Sequence, residues 1–292
     1  MHADEAQTDA DLVRALLRGQ FPQWADLPVR RLESGGTVNA IYRLGADLTV
    51  RLPLTAGGAD TLEQEAHWLP RIAPLVPVPV PEVVGLGEAA EGYPWGWAVH
   101  RWVDGEVLVE GQAEAPERLA RDLAGFVTAL RGAELGAGPP AHRGEPLAAA
   151  DEETRNAIEE LRHTDEPFDA EAAFAAWEEA LAAPGWSGKP RWIHSDLMPS
   201  NLLGDGGRLA AVIDFGTAGL GDPAVDLIPA WNLLPPAARQ VFREAVDTDD
   251  ASWARGRGWA LSMAVVQLPY YRETNPVISA NARYVIRQVL VS

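Results

Sequence analysis

The sequence predicts an α+β protein of two lobes, a small β-rich N-terminal lobe over residues 1–103 and a larger helical C-terminal lobe over 104–292. Three observations lead there. In the first hundred residues Leu48, Val50, Leu52 and Leu54 alternate with Thr49, Arg51 and Pro53, the period-2 signature of a half-buried strand. From residue 116 onward, stretches rich in Ala, Glu and Leu carry helical spacing instead. The change of pattern falls at Asp104-Gly105-Glu106.

Each element has a local reason. Thr8 and Asp11 mark a helix start, followed by an apolar stripe of Leu12, Val13, Leu16 and Leu17, with Gly19 as the stop. Residues 38–44 and 48–54 flank the short turn Gly45-Ala46-Asp47 and read as a β-hairpin. A helix is predicted over 60–73, with Leu62, Ala66, Leu69 and Ile72 on one side. The proline-rich run 74–81 is expected to be extended, and strands are expected at 83–84 and 97–103. In the second lobe, helices are predicted over 116–132, 151–163, 169–183, 223–232, 235–247, 251–268 and 277–290. Short strands are expected at 191–193, 201–203 and 209–213.

Composition narrows the chemistry. The chain has 292 residues and no cysteine, which excludes disulfides, thiolate metal sites and cysteine nucleophiles. Its formal net charge of −18 repels nucleic-acid backbones and attracts a cationic small molecule. The N-terminus has no basic segment ahead of an apolar core, and no apolar run approaches the roughly 20 residues that span a bilayer. The expected partner is a small molecule in the cytoplasm, with neither nucleic acid nor membrane.

The most specific feature is a pair of short motifs. His194-Ser195-Asp196-Leu197-Met198-Pro199-Ser200-Asn201 is followed by Ile213-Asp214-Phe215-Gly216. The order of parts is that of the kinase signature, H-R-D-L-x-x-x-N and then D-F-G. Phosphoryl transfer needs positioning, metal charge and a group that takes the hydroxyl proton. Asp196 suits the last role, and Asn201 and Asp214 offer oxygen to Mg²⁺, a hard cation. His194 reads as a pin for the loop. Either motif alone would be ordinary turn chemistry; the combination at this spacing is not.

The nucleotide side is written less sharply. Ser34-Gly35-Gly36-Thr37 precedes the first strand of the hairpin, where backbone N–H groups can approach phosphates; a plain hairpin turn would also explain it. Arg51 stands on the strand where kinases carry a phosphate-holding lysine, and arginine keeps the charge with a different geometry. Glu65 is the expected partner of Arg51, with Glu63 second. The main chain of His100 and Trp102 is the expected contact for adenine.

Together with Gly221-Asp222-Pro223-Ala224-Val225-Asp226-Leu227, these motifs resemble the aminoglycoside phosphotransferase family, small-molecule kinases with a protein-kinase-like fold. The resemblance implies that Asp196 is the catalytic aspartate, that Asn201 and Asp214 are magnesium ligands, and that Asp226 braces the catalytic loop. For Asp222 a simple charge at a helix N-terminus is an equal reading. Ser195 and Ser200 stand where the family usually has glycine, and Met198 where it often has histidine. The implied reaction moves the γ-phosphate of ATP or GTP to an acceptor hydroxyl, that of an antibiotic such as an aminoglycoside or macrolide. A metabolite kinase acting on an amino alcohol, sugar or homoserine-like compound is the alternative, and an inactive nucleotide-binding module a third reading. Trp231, Trp259, Tyr270, Tyr271 and Glu273 are the candidates for acceptor contact.

Overall fold

A computed structural model describes residues 6–32 and 38–291. The chain divides into two compact units. The first comprises residues 1–74, 79–104 and 213–216; the second holds 75–78, 105–212 and 217–292. The division at 104/105 lies beside the change of sequence pattern, but residues 213–216 belong with the first unit and 75–78 with the second.

The first unit is built on a five-stranded antiparallel sheet. Its strands are β1 (Val29–Arg31), β2 (Asn39–Leu44), β3 (Leu48–Pro53), β4 (Val83–Gly87) and β5 (Trp97–Arg101), in the order β1-β2-β3-β5-β4. The strand alternation does its work here. Ala40, Tyr42 and Leu44 of β2 and Leu48, Val50 and Leu52 of β3 turn inward, where α1 (Ala10–Gln20) covers them with Val13, Leu16 and Leu17. Burying each large apolar side chain contributes about 1.5–3 kcal/mol. Helix α1 starts one residue later than Thr8 suggests: Asp9 caps it by accepting from the Leu12 N–H at 2.8 Å, while the Thr8 hydroxyl bonds to Tyr42. Helix α2 (Ala56–Ile72) starts four residues before the expected position 60, because Thr55 caps Gly58 N–H.

On the other face of β5, His100 is buried against the sheet, and its Nδ1 has no hydrogen-bond partner among the described residues. Desolvation, aided by the Arg51 charge, lowers its pKa to about 3. The folded state therefore keeps a neutral imidazole that the unfolded chain protonates below about pH 6.5. Stability from this group is present above that pH and is lost as pH falls toward 3, at about 1.4 kcal/mol per pH unit. Urea titrations at pH 7 and pH 5 are expected to show this loss in the parent and a flatter profile in His100→Gln.

The second unit has two small sheets and a helical body. Strands β6 (Glu106–Val107), β8 (Leu202–Asp205) and β9 (Arg208–Val212) form one sheet; β7 (Arg191–Ile193) and β10 (Gly219–Gly221) pair antiparallel in the other. The helices are α3 (Pro116–Arg131), α4 (Asp151–Arg162), α5 (Ala170–Ala182), α6 (Pro229–Asn232), α7 (Pro236–Val246), α8 (Asp250–Tyr271) and α9 (Pro276–Leu290). Helix α8 is the central member and packs against α4, α5 and α9. Its Gly256 lets the 223–227 segment approach closely: a Cβ there would lie 2.7 Å from Leu227 Cβ and 2.9 Å from Ala224 O. The single helix expected over 223–232 is broken. Pro229 ends a 3₁₀ turn at Pro223–Leu227, and α6 begins there as one short turn. Among the described residues, no helix is long and apolar enough to cross a membrane.

Candidate active site

Each compact unit carries its own cluster of polar groups. In the second unit, β7 leads into the loop 194–198, which ends in a 3₁₀ turn at Pro199–Asn201. The loop is held from below by one carboxylate. Asp226, 2% exposed, accepts the N–H of His194 through Oδ2 and the N–H of Ser195 through Oδ1, both at 2.8 Å. Burial raises the Asp226 pKa, while His194 and the two N–H donors oppose that shift. His194 is fully buried and accepts from the Thr217 hydroxyl through its carbonyl. It pins the loop and stays inside the fold.

The loop carries backbone strain. Ser195 sits at φ 64°, in the left-handed region, where a side chain costs roughly 1–2 kcal/mol. The serine offsets this with its hydroxyl, which donates to Thr217 O at 2.8 Å. Ser195→Ala keeps the strain and loses the bond, so it is expected to destabilise by about 1 kcal/mol. Ser195→Gly loses both and is expected to stay near the parent. Urea midpoints of the three proteins separate these outcomes.

Asp196 follows on the same turn. Asn201 donates Nδ2 to Asp196 Oδ2 and to Asp196 O, both at 2.9 Å. That assigns the amide nitrogen and leaves Asn201 Oδ1 as the acceptor atom of the amide. The other carboxylate oxygen, Asp196 Oδ1, accepts from Arg143 Nη1 at 3.2 Å. Asp222 caps the Pro223–Leu227 turn at Ala224 N–H and also forms a buried ion pair with Arg255 on α8, at 2.8 and 3.3 Å. Both sides of that pair are 4% exposed.

In the first unit, the β3 alternation puts Arg51 on the face away from the apolar cluster, beside α2. Arg51 Nη1 lies 2.8 Å from Glu65 Oε2, and Arg51 Nη2 lies 3.3 Å from Asp214 Oδ1. The Glu65 carboxylate is 1% exposed and also receives the Phe215 N–H at Oε1. Burial works against the Arg51 charge, yet Glu65 and Asp214 together hold its pKa above the ordinary value. Asp214 is half-exposed and, like Ser195, lies at φ 64°. Strained non-glycine residues of this kind gather at functional sites.

The oxygen donors suit Mg²⁺. In the second unit Asn201 presents Oδ1, and in the first Asp214 presents a half-exposed carboxylate; each is a hard oxygen donor of the kind magnesium takes. Among the described residues, no three His, Cys, Asp or Glu side chains gather into an all-protein metal site.

Other residues singled out from sequence fall in varied places. Ser34, Gly35, Gly36 and Thr37 lie outside the described residues. His100 is register-paired with Thr49 on one side and Val83 on the other, and the Trp102 N–H is already spent on Asp47 O at 2.7 Å. Trp231 and Trp259 are 1% and 5% exposed and belong to the core, whereas Tyr270 is 63% exposed. Arg143 and Arg255 were not singled out from sequence, since their partners Asp196 and Asp222 lie 53 and 33 residues away.

The description of the phosphotransferase enzyme family (APH) matches residues 29–259. The chain belongs to that family. The chain is thus a phosphotransferase. No curated protein sequence matches it. Among solved structures, the GDP and kanamycin complex of APH(2")-IIIa is similar at TM-score 0.73 and 21% identity, covering 96% of this chain and 98% of that one. The ADP-bound aminoglycoside phosphotransferase APH(2'')-Ib is similar at TM-score 0.63 and 15% identity, covering 96% and 98%. A macrolide 2'-phosphotransferase from Brachybacterium faecium is similar at TM-score 0.63 and 20% identity, covering 96% and 97%. At these identities the likeness is one of fold.

Proposed function

We propose that this phosphotransferase moves the γ-phosphate of ATP or GTP to a hydroxyl of an antibiotic, an aminoglycoside or a macrolide. The observation that carries the reading is the Asp196 carboxylate, held at both oxygens on a strained, pinned loop. A carboxylate so fixed orients an acceptor hydroxyl and takes its proton as the oxygen attacks. Arg51, kept charged by Glu65, would hold nucleotide phosphates as a fork-shaped cation, with Ser34, Gly35, Gly36 and Thr37 as the backbone cover over them. The main chain around His100 and Trp102 would receive the base, through the carbonyl of Trp102. Asn201 and Asp214 would hold Mg²⁺, which supplies positive charge to the phosphate oxygens when bound.

The solved structures support the acceptor class. One neighbour was solved with kanamycin and another is a macrolide 2'-phosphotransferase. The acidic net charge of −18 suits a polycationic aminoglycoside. Purified protein with Mg²⁺ and either nucleotide, incubated with kanamycin, gentamicin, streptomycin, a macrolide and small hydroxylated metabolites, should yield one phosphorylated antibiotic by mass spectrometry. Phosphorylation of a metabolite alone would move the reading to that class, and absence of any phosphorylated product would refute it.

A further inference from the structure

Arg143 has no place in either sequence motif, yet it touches the proposed base. Its Nη1 lies 3.2 Å from Asp196 Oδ1 and 3.3 Å from the carbonyl of Ser195. Both Arg143 and Asp196 are 24% exposed at the side chain, so the pair is partly shielded from solvent. The arginine is delivered by a segment bolted to β10 through the backbone. Leu220 N–H donates to Pro139 O, Ala141 N–H to Leu220 O, His142 N–H to Thr217 O and Asp222 N–H to Gly144 O, at 2.8 to 3.1 Å. The approach is close enough that a Cβ on Gly144 would meet Leu220 O at 2.7 Å. The position of Arg143 is therefore set by the same strand and turn that carry Thr217 and Asp222, not by a free surface loop.

We infer that Arg143 is a positioning residue for Asp196, a role that rests on Asp196 being the base. The terminal torsion of an aspartate is broad and two-fold, so one donor alone leaves the carboxylate free to swing. Here Asn201 holds Oδ2 and Arg143 holds Oδ1. Donors on both oxygens fix the plane of the carboxylate and hence the direction of its free lone pairs. Arginine is suited to this because it is charged at all working pH and its Nη1 reaches both the carboxylate and the loop carbonyl. A lysine would keep the charge on a shorter stem without the planar head.

The test compares the parent with Arg143→Ala, Arg143→Lys and Asp196→Asn, using Mg²⁺, ATP and GTP, the acceptors kanamycin, gentamicin, streptomycin and a macrolide, and water as acceptor. Misplacing a reacting group costs on the order of 10- to 100-fold in rate. Arg143→Ala is expected to lose about that much kcat while nucleotide KM and Tm stay at parental values. Millimolar guanidinium should restore part of the loss, and Arg143→Lys should fall between. A parental kcat in Arg143→Ala would overturn the inference. So would a loss shared between kcat and nucleotide KM, with a lowered Tm and no guanidinium rescue, since that describes a brace for the fold. Parental turnover in Asp196→Asn would instead overturn the base assignment while leaving the Arg143→Ala result to stand on its own. A parent that turns over with no acceptor, water included, would overturn both.

Discussion

Asp196→Asn is expected to lower kcat by about 10²–10⁴-fold, the usual contribution of a positioned general base. Nucleotide affinity should change little, because the substitution keeps the shape of the side chain. The amide retains one acceptor oxygen. Its nitrogen, however, would face either Asn201 Nδ2 or Arg143 Nη1, both donors. Some reorientation of the loop is thus part of the effect. Single-turnover rates with excess enzyme would isolate the chemical step from product release. A variant that keeps its single-turnover rate would remove Asp196 from the reaction.

Arg51→Met is expected to have the second large effect, and to show it first in stability. The substitution removes the cation 2.8 Å from Oε2 of the Glu65 carboxylate, which is 1% exposed. Breaking a buried ion pair from one side costs about 3–5 kcal/mol. The double variant Arg51→Met with Glu65→Leu should recover much of that loss, because it removes the stranded charge along with its partner. Nucleotide binding should not recover, since the cation proposed to meet the phosphates is still missing. Urea unfolding of the two variants, set beside nucleotide titration, distinguishes the structural share from the binding share. Recovery of both would deny Arg51 any part in holding nucleotide.

What sequence reveals here depends on distance along the chain. Arg51 and Glu65 are legible together because strand alternation and helix spacing each define a face, and the residues are 14 apart. The loop from His194 to Asn201 is legible because its parts lie within one turn. By contrast, Arg143 meets Asp196 across 53 residues and Arg255 meets Asp222 across 33. No periodicity encodes those encounters; they follow from how the 139–144 segment lies along β10 and how α8 packs. The same limit explains Trp231 and Trp259. Their spacing allows either a core or a binding surface, and only packing against the rest of the second unit puts them inside. The broken helix at 223–232 is different, since Pro229 was visible and marks the break.

The two ends of α8 are subject to different freedoms. At its start, Arg255 is locked to Asp222, and Gly256 admits no added carbon against Leu227 and Ala224. That same turn carries Asp226, whose carboxylate holds two consecutive N–H groups of the loop leading to Asp196. A change there would propagate into the chemistry. At its far end, Tyr270 is mostly exposed and Tyr271 partly so, and replacing either disturbs little that the fold relies on. Sequence drift has room at the outer end of α8, while the inner end stays frozen by what it carries.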